Sequence, residues 1–141
     1  MSAYKGKVRL VVKNLPYRYR DHSRMAAEAA LAAGDQGKYW EMHNKLFANQ
    51  TALDSAALAT YAQAVNLDEI KFKQCLDSGR NAGKIRSDLA EGRKAGLLGT
   101  PGFFLGLTQP NVPTLTAVKF INGAQPYANF KDVIEQLLAS K

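Results

Sequence analysis

The sequence predicts an α/β domain: a mixed sheet of about three strands with a large helical insertion over about residues 22–96. Three observations carry that expectation. Val8-Arg9-Leu10-Val11-Val12 first alternates and then turns apolar on both faces, as a buried strand does. Apolar residues recur at helical spacing from Met25 to Ala95 with only short interruptions. After Gly96 come two further β-type runs and one amphipathic stretch.

Lys7–Lys13 reads as the first strand, and Asn14-Leu15-Pro16 ends it because proline has no N–H for a ladder. Asp21 or Ser23 is placed to cap a helix through the Ala-rich stretch Met25–Ala33, which Gly34 closes. A second helix is expected from Lys38 to Ala48, with Tyr39, Met42, Leu46 and Phe47 on one stripe and Trp40 beside it. Asp54 or Ser55 starts a third, with Leu58, Tyr61, Ala62 and Val65 on one side. Asp68 starts a fourth, carrying Phe72, Cys75 and Leu76 and ending at Gly79. A fifth is expected from about Arg80 to Ala95, with Ile85 and Leu89 inward and Gly96 as its stop.

Pro101–Leu105 then reads as a short strand, and Gly106–Thr114, with Pro110, Asn111 and Pro113, as a loop. Thr116–Ile121 reads as its strand partner, antiparallel because the two are close in sequence, and Asn122-Gly123 as a turn. The last helix is expected over Tyr127–Ala139, with Phe130, Val133, Ile134, Leu137 and Leu138 as its apolar face. No repeat, low-complexity segment or linker divides the chain, so one domain over 1–141 is expected.

The 141 residues are 46% hydrophobic and 22% charged, an ordinary globular balance in a chain long enough for one core. No apolar run approaches the roughly 18 residues that a membrane helix needs, and no membrane partner is expected. Met1–Lys7 lacks the apolar centre of a secretory signal. The expected compartment is therefore cytoplasmic as given, or periplasmic if the sequence belongs to a longer secreted parent. The formal net charge is +7. Its densest cationic cluster, Arg18, Arg20 and Arg24, is interleaved with Tyr17 and Tyr19. Such interleaving can serve single-stranded nucleic acid, but the cations are spread along the chain, and a solvated loop is the reading preferred here.

Candidate chemistry is sparse. Cys75 is the only cysteine, whereas thiol–disulfide exchange needs an activated thiolate and a second thiol to resolve the mixed disulfide. Its place inside a helix, away from the start, reads as a small packed residue. His22 and His43 have no partner at metal-ligand spacing, so no metal is expected. No Gly-rich phosphate loop or Gly-x-Ser-x-Gly occurs, and no cofactor is expected. Asp54, Asp68, Asp77 and Asp88 read as caps or solvated positions.

Four segments in order carry a family resemblance: Gly6–Pro16, then Ala26–Ala33 with Gly37–Phe47, then Gly99-Thr100-Pro101-Gly102-Phe103-Phe104, then Gly123–Tyr127 followed by Phe130. Together they resemble the thioredoxin-fold proteins of the DsbA type over nearly the whole chain. The resemblance implies an incomplete thioredoxin-like fold, lacking the family's first strand and its Cys-x-x-Cys. It makes Thr100-Pro101 the family's cis-proline segment, which pairs with substrate peptide, so Thr100 and Pro101 are the expected substrate-binding residues and none is expected to be catalytic. Gly102 stands where the family more often has a β-branched residue. The implied function is a DsbA-family thiol–disulfide oxidoreductase-like domain, truncated or degenerate and inactive as given. The alternative is a non-catalytic peptide-binding or assembly module. Because the missing strand is central in the family's sheet, its loss leaves open edges, and a homodimer through those edges is expected.

Overall fold

A computed structural model describes residues 2–109, 111–112 and 114–140. Pro110 and Pro113 of the expected loop lie outside the described residues. The chain forms two compact units, Met1–Gly92 and Arg93–Lys141.

The first unit is built from helices. After a 3-10 turn at Ser2–Tyr4 come α1 (Ser23–Gly34), α2 (Tyr39–Ala48), α3 (Ser55–Ala64), α4 (Glu69–Asp77) and α5 (Ala82–Lys94), whose last turn passes the boundary. Their caps follow from local chemistry. The Asp54 carboxylate accepts the N–H groups of Ala56 and Ala57 at the start of α3, and Asp68 accepts that of Lys71 at the start of α4. The start of α1 differs from expectation. His22, with φ of 63°, occupies the cap position without a side-chain bond, while Ser23 Oγ instead accepts the Tyr17 N–H at 3.2 Å.

Small residues let α1 sit centrally: Ala29, Ala30, Ala32 and Ala33 are all buried. Met42 and Leu46 of α2, Leu58 and Ala62 of α3, Val65 and Leu67 of the connection after it, and Phe72 of α4 complete this core. Gln36, just after α1, fixes the entry to α4 with two bonds to one residue. Its amide donates to the Asp68 carbonyl at 3.2 Å and its oxygen accepts the Asp68 N–H at 2.8 Å. The α2 stripe is narrower than the spacing suggested. Met42 and Leu46 are buried in the core and the half-buried Tyr39 packs against it, while Phe47 is exposed.

The strand expected over Lys7–Lys13 is not formed: residues 8–16 have no regular secondary structure. A strand is defined by its ladder, and no neighbouring strand is present among the described residues of this unit. The segment is fastened instead by side chains of α5. The Asn14 N–H and its side-chain amide donate to Asp88 Oδ2 at 2.9 and 3.1 Å, and Lys13 Nζ donates to Glu91 at 2.8 Å.

The second unit is a hairpin and a helix. β1 (Gly102–Leu105) pairs antiparallel with β2 (Lys119–Asn122), in the register Phe103 opposite Ile121 and Phe104 opposite Phe120. These strands form a two-stranded sheet in place of the expected three, and the second is shorter and later than Thr116–Ile121. Alternation splits the aromatics between faces. Phe103 meets Phe130 of α6 (Tyr127–Ala139) edge-on at 4.8 Å, beside the buried Ile121. Phe104 and Phe120 stack on each other at 4.8 Å on the opposite face, both exposed. The α6 face of Phe130, Val133, Ile134, Leu137 and Leu138 is half-buried throughout.

Candidate functional site

Two places bear on thiol or peptide chemistry, one in each unit. The first is Cys75, which lies in the last turn of α4. Its Sγ donates toward Asp35 Oδ2 at 3.6 Å and accepts from Asn81 Nδ2 at 3.4 Å. Burial pushes its pKa up, and the neighbouring Asp35 carboxylate pushes the same way by hydrogen bond and charge; Arg80, 3.8 Å from Asp35, opposes weakly. A helix C-terminus also carries the negative end of the dipole. Every local influence but one therefore favours the thiol over the thiolate, the reverse of an activated cysteine.

The second place is the start of β1. The Thr100–Pro101 peptide bond is cis. The Pro101 carbonyl accepts the Gly123 N–H at 2.8 Å, which extends the hairpin past Gly102. Gly102 has a local reason: a Cβ there would lie 2.2 Å from Leu97 Cδ1 and 3.2 Å from Phe120. The sheet is two-stranded among the described residues, so each strand has one flank without a β neighbour. β1 thus offers a short strand flank with an aromatic face of Phe104 and Phe120.

The remaining polar candidates divide. Asp54 and Asp68 are caps, as expected. Asp77 is an exposed partner of Lys73. Asp88 corrects the expectation of a solvated carboxylate: its side chain has no solvent exposure. It receives the two Asn14 bonds, pairs with Lys84, and lies 3.7 Å from Lys13. Burial works to raise its pKa, but Lys84 and the Asn14 donors outweigh this and hold the carboxyl below its ordinary value. Nothing in the spacing of Asp88 along the sequence marks it as buried; only the distant Asn14 does. His43 lies within an aromatic stripe on α2, 4.5 Å from Phe47 and 5.3 Å from Trp40. Among the described residues no three His, Cys, Asp or Glu side chains are grouped to hold a metal ion.

In chain order, then, a helical block is followed by a hairpin and a closing helix, with a cis-proline at the hairpin's entrance. The sequence matches the family described as Thioredoxin over residues 1–136, and the chain belongs to that family. Among curated proteins it is similar to a Na(+)/H(+) antiporter NhaA 3 of Salinispora tropica, 41% identical over 99 residues, covering 70% of this chain and 15% of that protein. It is also similar to a Na(+)/H(+) antiporter NhaA 1 of Salinispora arenicola, 40% identical over 99 residues, with the same coverage. A Na(+)/H(+) antiporter NhaA of Herminiimonas arsenicoxydans is 36% identical over 98 residues, covering 70% of this chain and 16% of that protein. The chain thus matches only about 15% of the length of these relatives. No helix among the described residues is long and apolar enough to cross a membrane. No solved structure matches.

Proposed function

We propose that this chain is a non-catalytic module of the thioredoxin family, related to the DsbA type, which holds a polypeptide strand against the open flank of β1 beside Thr100 and Pro101. The observation that carries it is the setting of the single thiol. Cys75 sits at the carbonyl end of a helix, against a carboxylate, with its pKa raised. That setting suits packing and opposes thiolate chemistry, so the scaffold is left with binding as its work. The flank of β1 supports the choice of ligand: strand addition satisfies outward N–H and C=O groups of an edge strand, and side-chain pockets add selectivity.

The relatives suggest a setting. Their names make them Na(+)/H(+) antiporters, and this chain matches a minor share of each. A domain without a membrane-crossing helix among its described residues fits an appended part of such a transporter, gripping a strand of the transporter or of a polypeptide near it. A second copy of the chain is another strand donor, which gives a symmetric dimer.

An insulin-reduction assay with dithiothreitol as electron donor tests the inert thiol. The chain and its Cys75→Ser variant are both expected to leave the rate at background. Turnover by the chain that is lost in Cys75→Ser would overturn the reading in favour of an oxidoreductase. Light scattering on the eluting peak tests self-pairing: twice the monomer mass is expected.

A further inference from the structure

The first unit carries a cleft of about 1130 Å³ between residues 16–24, α1, α3, α4 and α5. Its floor is apolar, formed by buried or half-buried Met25, Phe72, Leu76, Ile85 and Leu89. Its rim is charged, and much of that charge is already matched: Arg24 pairs with Glu28 at 3.0 Å, and Lys73 pairs with Asp77. Three exposed arginines on the same cleft, Arg18, Arg20 and Arg86, are not matched to a carboxylate among the described residues. Two of them are on a turn with its own order. Tyr17 and Tyr19 stack at 5.1 Å, and the Arg20 guanidinium lies 6.0 Å from the Tyr19 ring centre.

We propose that this cleft binds an acidic polypeptide segment whose carboxylates alternate with apolar side chains. Guanidinium groups prefer carboxylates because two parallel N–H donors match two oxygens. The apolar floor rewards side chains that leave water. The other anionic partners fit less well. A uniformly charged polyphosphate carries no apolar groups to fill the floor of Met25, Phe72, Leu76, Ile85 and Leu89. A flat membrane surface reaches the rim arginines and leaves the recessed floor unused. The cleft also exceeds the roughly 300–1,000 Å³ of small-molecule pockets. The inference is independent of the β1 flank, which belongs to the other unit.

The test uses the whole chain and a fluorescein-labelled peptide of alternating Glu and Leu, followed by fluorescence anisotropy and by amide NMR shifts. Saturable binding is expected, with shifts on residues 17–24 and 85–89. Combined Arg18→Gln, Arg20→Gln and Arg86→Gln should weaken it by about tenfold or more, since each removes a charge partner. The corresponding Lys substitutions should retain most of it. A Gln-for-Glu peptide should bind the chain about as weakly as the acidic peptide binds the triple Gln variant. The proposal is overturned by unchanged affinity in the triple Gln variant, or by wild-type shifts confined to residues 102–105 and 119–122. It is equally overturned if single-stranded DNA or phosphatidylglycerol vesicles displace the peptide at lower concentration than unlabelled peptide does. The shift map uses the unaltered chain, so it decides the matter even if the variant misfolds.

Discussion

Asp88 concentrates much of the polar chemistry of the first unit on one side chain. It replaces a missing ladder: the backbone N–H of Asn14 finds a carboxylate where a strand neighbour would have supplied a carbonyl. Removing it by Asp88→Ala strands that donor in a part-buried site and frees Lys84, a loss expected to be about 1–3 kcal/mol in denaturant unfolding. Asp88→Asn should cost less, because an amide oxygen still accepts. The pH dependence follows from the lowered pKa. A carboxyl held below its unfolded value adds stability that is fully present above the unfolded pKa, about 3.9, and fades as pH falls through the folded value. Unfolding at pH 6 and at pH 3 should therefore show a drop in the native chain that is smaller in Asp88→Asn. An equal drop in both would remove Asp88 from the acid response. Sequence reasoning missed this residue because its burial is decided by Asn14, 74 positions away, and no local pattern encodes that.

At the scale of elements, local chemistry is legible where a signal and its effect lie close together. The closing helix spans Tyr127–Ala139 as its apolar spacing indicated, and Asp54 and Asp68 cap the helices they precede. These signals are contained within a few residues. The strand expected over Lys7–Lys13 does not form because an apolar β-type run states a preference, and only a partner turns it into a strand. The hairpin depends in the same way on a close approach that the sequence shows only as a glycine. A Cβ on Gly106 would lie 2.2 Å from the Thr116 carbonyl oxygen, a backbone atom with little room to yield. The Val118 N–H bond to the Leu105 carbonyl, 2.8 Å, lies beside it. Gly106→Ala should loosen the hairpin by about 1–3 kcal/mol, as overpacking commonly does. It should be visible as faster amide exchange at Val118, with little change at Ala29 or Leu58. At Gly102 the clashing atom is the tip of Leu97, which can rotate, so Gly102→Ala should cost less than Gly106→Ala.

For the whole molecule, the thioredoxin family is legible because its marks lie in four ordered segments, and the match to that family over residues 1–136 agrees at that coarser level. The candidate site was less legible. Thr100 and Pro101 stand out by resemblance alone, while the raised pKa of Cys75 comes first from burial and then from Asp35, 40 positions away, and neither is written in the local sequence. The division into two units has a thermodynamic consequence. The main buried cluster runs from Ala29 to Phe72, entirely in the first unit, whereas Ile121 is the single buried hydrophobic residue of the second among those described. So uneven a distribution of buried apolar surface should make unfolding depart from two-state behaviour. Amide exchange is expected to show the hairpin amides opening at lower free energy than those of α1. Equal opening free energies in both would contradict this.

The stripe on α2 has a use of its own. It contains the sole tryptophan of the chain, Trp40, at about half exposure with Tyr39 and His43 against it. Indole emission therefore arises within the helical unit. A melting curve followed by fluorescence and one followed by circular dichroism will sample different parts of one polypeptide, and the gap between them measures how loosely the two are coupled.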